Sequence, residues 1–283
     1  MRKQKKHRPA DSNSALRTQH SGLLLAIDVG NTHITVGAFQ KKTLLHTWRL
    51  QTHPHYTTDE LGLQLLNLVR LAGAHPADLV GVVIASVVPS LDTPLHEASV
   101  TYLHHEPLEV TASTKIGITN RYKKPEEVGA DRLVNAVAVH SLFKHSAIVV
   151  DFGTATTFDC VSAQGEYLGG AICPGLEIAA EGLATHTAKL PRVTFESAPV
   201  HALGKTTKES LQSGLFWGYI GLVEGLLQRL TREMGGKPKL VATGGLSSLI
   251  GPHIRHRIRI MPELTMEGLR LIWELTKYKG ELE

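Results

Sequence analysis

Two short stretches of the sequence repeat one set of chemically capable residues. The chain reads AIDVGNT around Asp28 and VVDFGTA around Asp151, so an apolar run meets Asp-x-Gly with a threonine close behind in both places. The glycine lets backbone N–H groups approach an anion without a Cβ in the way. Thr32 and Thr154 add hydroxyl donors, and the carboxylates suit a hard cation. The pair predicts two turns that face each other across a cleft and hold a phosphate chain with its metal ion.

A single turn of this kind is weak evidence, because Asp and Gly are common in hairpins. The second copy, together with a strand ending in ATGG at residues 242–245, makes the phosphate interpretation much stronger. The sequence contains no GxxxxGK[ST] motif and no GxGxxG after a strand. A P-loop and a dinucleotide-binding turn are therefore excluded.

The elements that carry the first turn have the pattern β-β-β-α-β-α-β. Residues 23–50 predict three strands joined by tight turns, and 57–73 predict a helix with Thr and Asp at its start and Gly73 at its end. The continuous apolar run 79–88 stops at Pro89, which is typical of a buried strand. Residues 92–103 then predict a helix, and a short strand follows.

The second turn has the same surroundings. A helix is predicted from Asp131 to Phe143, followed by the strand-turn-strand of Asp151, a hairpin at Gly165 and another strand. The two aspartates are 123 positions apart (151 minus 28), and the repeated order indicates an internal duplication.

A long helix is predicted over residues 207–234, and it carries glycines at 214, 218, 221 and 225. Each glycine costs about 1 kcal/mol relative to alanine in a helix interior. Their helical spacing indicates that something packs closely on that face. Packing on a sheet or helix of the same chain is the favoured interpretation, and a subunit interface is the alternative.

The basic character of the chain is concentrated at its N-terminus. Residues 1–22 contain six Lys or Arg against one acid, which leaves 24 basic and 25 acidic residues in the remainder. The nearly neutral body predicts no nucleic-acid partner, and the polar leader is expected to be a disordered tail. The leader lacks the apolar stretch of a signal peptide, and no run reaches the roughly 20 residues of a membrane span.

The cysteines and histidines indicate no metal or disulfide framework. Cys160 and Cys173 are the two cysteines, and they are expected to be free thiols in a reducing compartment. The 16 histidines are scattered and lack the spacing of a zinc site. These features together predict a cytoplasmic protein without membrane passage.

Seven motifs, in order along nearly the whole chain after residue 22, resemble type III pantothenate kinase, a family of the acetate and sugar kinase/heat-shock/actin superfamily. The motifs are DVGNT, SVVP, EVGADRLVNA, DFGTATTFD, GGAICPG, TAKLP and ATGG. The resemblance implies an α/β fold of two duplicated ribonuclease-H-like (actin-like ATPase) domains, with mixed sheets flanked by helices and an ATP cleft between them. The domains are placed at residues 23–125 and 126–283.

The resemblance implies ATP-dependent phosphorylation of pantothenate to 4′-phosphopantothenate, the first step of coenzyme A biosynthesis, by a homodimer. It assigns the ATP phosphates to the first hairpin and to Thr154, a monovalent cation (K⁺ or NH₄⁺) to Asp151, and Mg²⁺ to the nucleotide. The hairpin residues are Asp28, Val29, Gly30, Asn31, Thr32, His33, Ile34 and Thr35.

The same resemblance assigns pantothenate binding to six residues and names Asp131 among them as the proton acceptor. The six are Tyr122, Gly129, Ala130, Asp131, Arg132 and Thr206. A carboxylate that takes the proton of the attacking hydroxyl agrees with phosphoryl-transfer chemistry, and an arginine can pair with an anionic acceptor through two hydrogen bonds.

Each assignment has a structural alternative. Asp131 and Thr206 stand at helix starts, where both residue types are favoured as caps. Asp28 and Asp151 could close hairpins, and Tyr122 could be a surface aromatic. Three other functions compete: a non-catalytic relative similar to transcription accessory factors, an actin-like or chaperone-like ATPase, and a kinase with another acceptor. The three aspartates favour an enzyme, the short chain disfavours the ATPase, and EVGADR favours pantothenate.

Overall fold

The computed structural model of the chain describes residues 22–280, with side chains as far as residue 277. The predicted tail, residues 1–22, lies outside the described residues except for Gly22. Among the described helices, none combines the length and apolar character needed to cross a lipid bilayer.

The first half of the chain forms a five-stranded mixed sheet. Its strands are β1 (Leu23–Val29), β2 (His33–Gln40), β3 (Thr43–Gln51), β4 (Leu79–Ser86) and β5 (Leu108–Val110). The order is β3-β2-β1-β4-β5, with β1, β2 and β3 antiparallel and β4 and β5 parallel to β1. The three predicted opening strands and the strand before Pro89 are confirmed.

The second half repeats that topology. Its strands are β6 (Thr119–Asn120), β7 (Ala147–Phe152), β8 (Ala155–Val161), β9 (Glu166–Pro174), β10 (Lys239–Thr243) and β11 (Ile258–Ile260), in the order β11-β10-β7-β8-β9-β6. Apart from the two-residue β6, strand order and orientation match the first sheet one for one. The predicted duplication is confirmed, and Asp28 and Asp151 are each the next-to-last residue of equivalent strands.

Seven α-helices flank the sheets in the described part of the chain. They are α1 (Thr58–Leu71), α2 (Pro89–Ala98), α3 (Ala130–Phe143), α4 (Leu176–His186), α5 (Thr207–Met234), α6 (Ser247–Ile250) and α7 (Leu264–Gly280). Helix α1 begins with a capping box between Thr57 and Glu60. Helix α2 begins earlier than predicted, at Pro89, and a single π-helical turn, Ser99–Leu103, continues it.

Strands β1, β4 and β7 are buried on both faces, which explains their continuous apolar runs. Along β1, Leu23, Leu25 and Ile27 pack in one core cluster with helices α1 and α2, whereas Leu24 and Ala26 enter a central cluster. Along β7, alternate residues in the same way face the α5 side and the central cluster. Helices α3 and α7 lie in that central cluster, between the inner faces of the two sheets.

The proposed domain boundary between residues 125 and 126 remains a prediction. Two elements, one on each side of that boundary, pack against the sheet of the other half. Strand β6, which precedes the boundary, pairs with β9 of the second sheet. Helix α7, at the end of the chain, packs on the first sheet, where a Cβ at Gly81 would meet Trp273 and one at Gly37 would meet Met266.

The glycine face of α5, defined by Gly214, Gly218, Gly221 and Gly225, has no close neighbour. A Cβ added at any of the four would meet no other described atom within 4 Å. The favoured prediction, close packing on an element of the same chain, is therefore wrong for the described residues. The side of α5 that packs on the second sheet is formed instead by larger residues, including Phe216 and Val223.

Candidate active site

Strand alternation directs the side chains of Asp28 and Asp151 toward the same layer, which lies between the inner faces of the two sheets. Asp28 continues the series Leu24 and Ala26, which faces the central core cluster, and Asp151 continues the series of Val149. The inner faces of the two sheets flank helix α3, whose first turn carries Asp131. Two equivalent strand ends and one helix start therefore bring three carboxylates into one region.

The first hairpin is held by a short network of backbone bonds. The Gly30 N–H donates to the carbonyl oxygen of His33 at 3.0 Å, and a Cβ on Gly30 would lie 3.2 Å from that same oxygen. Thr52, just beyond β3, donates its hydroxyl to the Gly30 carbonyl at 2.7 Å and its N–H to the Thr32 carbonyl at 2.9 Å. Thr52 was missed by the sequence reasoning because it lies outside the motif.

The two hairpins meet directly. Thr32 Oγ1 and Thr154 Oγ1 lie 2.7 Å apart, within hydrogen-bond distance, although 122 positions separate them in the chain. The sequence prediction that the two turns face each other is confirmed by this contact.

Between the hairpins lies a cavity of about 410 Å³, called the cleft below. The lining includes most of the predicted phosphate-binding residues and all three aspartates: Asp28, Gly30, Asn31, Thr32, His33, Thr35, Thr154, Asp131 and Asp151. The strand around ATGG contributes Gly244 and Gly245. Val29 and Ile34 do not line the cleft, because strand alternation turns their side chains into the outer core of the first sheet.

The pKa values of the three aspartates in the cleft are all raised. Burial, followed by the charges of Asp131 and Asp151, raises the pKa of Asp28 well above its usual range. Burial and the charge of Asp131 raise the pKa of Asp151 to about 7, although a hydrogen bond from Asn135 opposes that shift. Burial also raises the pKa of Asp131, against the lowering effect of the Arg132 N–H and guanidinium. Such a group of acids favours a bound cation.

Asn135 is a positioning residue that the sequence reasoning passed over. It stands one turn after Asp131 on α3 and is almost fully buried. Its Nδ2 donates to Asp151 Oδ2 at 3.0 Å, and its Oδ1 accepts from Thr265 Oγ1 of α7 at 2.9 Å. The i, i+4 spacing from Asp131 was the available signal, since it places both side chains on one face of the helix.

Four of the six residues assigned to pantothenate fall in three places. Asp131 faces the cleft, whereas Gly129 and Ala130 line an adjacent cavity of about 510 Å³. Tyr122 lies beside the buried Tyr167, with ring centroids 6.2 Å apart. A Cβ on Gly129 would lie 2.5 Å from Asp131 Oδ1, so a larger residue at this position would displace the Asp131 carboxylate.

Arg132 and Thr206 have partners within the chain. Arg132 Nε donates to Asp159 Oδ1 at 2.7 Å, with side chains that are 8% and 0% exposed. Asp159 also accepts from Tyr167 Oη at 2.9 Å and Thr157 Oγ1 at 3.0 Å. Thr206 is the N-cap of α5, accepts from the Glu209 N–H at 3.2 Å, and lines neither cavity.

The donor set of the cleft fits a hard monovalent or divalent cation. Carboxylate oxygens are the ligands that such ions prefer, and Asp151 has one neutral hydrogen-bond donor for its buried charge. No group of three or more His, Cys, Asp or Glu side chains arranged to bind a metal ion occurs among residues 22–277. A cation in the cleft would therefore also use oxygens of the nucleotide or of water.

Comparison with known proteins decides the family. A family model described as type III pantothenate kinase matches residues 24–229. The chain belongs to the type III pantothenate kinase family. The type III pantothenate kinase of Moorella thermoacetica is 49% identical over 252 residues, which cover 89% of this chain and 99% of that protein. That of Myxococcus xanthus is 45% identical over 251 residues, covering 89% and 98%. Membership makes the chain a kinase, as predicted.

Solved structures confirm the fold. A Baf family transcriptional activator from Campylobacter jejuni matches with a TM-score of 0.58 at 18% identity and covers 90% of this chain and 99% of its own. The ethanolamine utilization protein EutJ from Carboxydothermus hydrogenoformans matches with a TM-score of 0.54 at 12% identity, covering 92% and 95%. The chain shares its fold with both proteins, and this fold is the predicted α/β arrangement of mixed sheets flanked by helices.

Proposed function

We propose that this chain transfers the γ-phosphoryl group of ATP to the primary hydroxyl of pantothenate, yielding ADP and 4′-phosphopantothenate, the first step of coenzyme A biosynthesis. The observation that carries the proposal is the cleft, where Asp131 shares one cavity with both hairpins. The printed name of a relative that is 49% identical over 252 residues supports pantothenate as the acceptor.

The nucleotide is assigned to the first hairpin, Asp28 to Thr35, and to Thr154. Their exposed hydroxyls and backbone N–H groups suit phosphate oxygens. In this arrangement the Thr32 and Thr154 hydroxyls, which contact each other at 2.7 Å, exchange that bond for contacts with a phosphate between them. Val29 and Ile34 support this hairpin without facing the cleft, since their side chains are buried in the core and their backbones pair with neighbouring strands.

Asp131 is assigned as the proton acceptor. The hydroxyl oxygen of pantothenate attacks the γ-phosphorus, its proton passes to the Asp131 carboxylate, and the bond to the β-phosphate oxygen breaks as ADP leaves. A carboxyl pKa raised by burial suits this role, because a more basic carboxylate takes the proton more readily. The Arg132 N–H, 2.8 Å from Asp131 Oδ1, orients the group.

The cations are assigned to the other two aspartates. Asp151 would hold K⁺ or NH₄⁺, with Asn135 orienting its carboxylate, and Asp28 would face the Mg²⁺ that accompanies the nucleotide. When bound, the cations neutralise charge on the phosphate chain, which is a main requirement of phosphoryl transfer.

The acceptor is assigned to Tyr122, Gly129, Ala130, Arg132 and Thr206. Arg132 has its Nε occupied by Asp159 but retains Nη1 donors for an anionic acceptor. Thr206 lines neither cavity of its own chain, which agrees with a pocket completed by a second copy. A homodimer is further supported by the uncovered glycine face of α5 and by exposed apolar residues elsewhere in the second half, including Leu203 and Ile172. A cytoplasmic location is part of the same proposal.

The test is ADP release from Mg·ATP with and without pantothenate, in the presence and absence of KCl, with the product identified by mass spectrometry. We expect release to require pantothenate, to increase with K⁺ and to yield the phosphorylated acceptor. A pantothenate analogue that lacks the primary hydroxyl is the matched control and should give no product. ADP release that is independent of pantothenate contradicts the proposal.

A further inference from the structure

Arg49 is a charged residue of the cleft that the proposed chemistry has not yet used. It lies on β3, where the exposed Thr47 and Arg49 line the cleft while Trp48 and Leu50 pack toward the outer core. This alternation is that of a half-buried strand, so the backbone itself directs the Arg49 side chain to the inner face of the sheet.

The strand register aligns Arg49 with Asp28. Asp28 of β1 pairs with Thr35 of β2, and Thr35 pairs with Arg49 of β3. Directly paired residues of adjacent strands share one face of a sheet, so the three side chains form a row across the floor of the cleft. Two strand spacings, about 10 Å in total, separate the backbones of Asp28 and Arg49.

Arg49 is a positively charged side chain in a cleft whose charged lining residues are mainly acidic. Five carboxylates line the cleft: Asp28, Asp131, Asp151, Glu177 and Glu263. Among the described lining residues, Arg49 is the single arginine or lysine, and it forms no ion pair with any described side chain. A polyphosphate that enters this cleft therefore meets one permanent side-chain cation.

The Arg49 guanidinium, carried by the first sheet, also lies close to a loop of the second half. A Cβ built on Gly245, in the loop after β10 of the second sheet, would lie 3.6 Å from Arg49 Nη1 and 3.9 Å from Nη2. Arg49 thus stands where the two sheets approach each other, at the end of the row remote from Asp28. A ligand lying along the row would contact Asp28 and Arg49 at opposite ends.

We propose that Arg49 binds the phosphate chain of the nucleotide on the side of Gly245, away from the phosphoryl group that is transferred. This inference rests on the proposed function, because it takes the cleft as the ATP site. A contact remote from the reacting atoms is made equally in the ground state and the transition state, so it should affect nucleotide binding and leave kcat unchanged.

The test compares wild type with Arg49→Gln, Arg49→Lys and the control Arg70→Gln, which removes another exposed arginine from α1. Isothermal titration calorimetry measures the Kd of Mg·ATP, Mg·ADP and adenosine, and steady-state kinetics measure kcat and the KM for ATP. Loss of one charge-assisted hydrogen bond should raise the Kd of both nucleotides about 10- to 100-fold in Arg49→Gln.

For Arg49→Gln we expect the Kd of adenosine and kcat to stay within about twofold of wild type. For Arg49→Lys we expect nucleotide Kd values between those of wild type and Arg49→Gln, since lysine keeps the charge and loses the two-pronged hydrogen bonding of the guanidinium. Equal weakening of adenosine would place Arg49 at the base or ribose and overturn the inference. A fall in kcat with unchanged Kd would overturn it as well. Wild type that binds Mg·ATP and never phosphorylates pantothenate refutes the proposed function, while the Kd comparison still decides the role of Arg49.

Discussion

Asp131 combines the two properties that the proposed reaction requires of a single residue. It lines the cleft beside both hairpins, and burial raises its pKa while the Arg132 N–H holds one oxygen in place. Its position in the first turn of α3 also suits a helix N-terminus, so the capping alternative had a physical basis. Asp131 differs from a simple helix cap because its side chain shares the cleft with Asp28 and Asp151.

Asp131→Asn should lower kcat about 10²- to 10⁴-fold, because asparagine keeps the shape of the side chain and cannot accept the proton. Pantothenate-dependent ADP release measures the effect, and the Kd of Mg·ATP should change little. Asp59→Asn is the matched control, since Asp59 also lies in the first turn of a helix and lines neither cavity. Undiminished turnover in Asp131→Asn would remove the proposed base.

Cys160 should be inert in the folded protein. It is 4% exposed, and burial, followed by the charge of Asp159, raises its thiol pKa to about 12. At pH 8 only about one molecule in 10⁴ then carries the reactive thiolate. Alkylation by iodoacetamide, followed on the Cys160 peptide by mass spectrometry, should be orders of magnitude slower in native protein than in urea. Similar rates in the two conditions would contradict this expectation.

At the scale of elements, α3 and strand alternation organise the site together. The helix carries Asp131 for the cleft, Arg132 for the second sheet and Asn135 for Asp151. The period of two in β1, β3 and β7 turns Asp28, Arg49 and Asp151 toward that helix.

The buried pair between α3 and β8 should be essential for stability. Asp159→Asn leaves the Arg132 guanidinium buried without a countercharge and should cost about 3–5 kcal/mol of unfolding free energy. Urea denaturation measures the change. The matched control is Glu166→Gln, which breaks the exposed pair with Arg121 in the same sheet and should have a much smaller effect. Equal losses of unfolding free energy in the two variants would mean that burial does not determine how much the Arg132–Asp159 pair contributes to stability.

For the whole molecule, the duplicated topology explains how one chain can enclose a nucleotide. Two sheets of matching strand order turn equivalent hairpins toward each other, and α7 returns from the second sheet to pack on the first. The cleft is thus bounded by both halves, whereas the glycine face of α5 points away from the described core.

The proposed homodimer makes that glycine face a target for substitution. Gly218→Arg adds a long charged side chain where no described atom lies within 4 Å of the Cβ position, so the monomer should fold and the dimer should dissociate. Sedimentation velocity measures the mass. Asn67→Arg, on the exposed side of α1, is the control and should remain dimeric. A wild-type monomer, or an unchanged Gly218→Arg dimer, would contradict this assembly.

Local patterns predicted most elements because they obey short-range rules. Continuous apolar runs marked β1, β4 and β7, and capping residues with helical periodicity marked α1, α3 and α5. Strands β6 and β11 were missed because two or three residues carry too little periodicity. Helix α4 was also missed, since it lies between the GGAICPG and TAKLP motifs, in a stretch that was given no element.

The sequence by itself determined the repeated hairpins, the duplication and the family, because those depend on residue types at fixed local spacing. Tertiary structure decided which side chains meet: the contact of Thr32 with Thr154, the support of Asp151 by Asn135, and the pairing of Arg132 with Asp159. It also placed Arg49 in the cleft, from a strand that no motif marked. Such contacts join residues far apart in the chain, and their geometry depends on sheet register and helix packing.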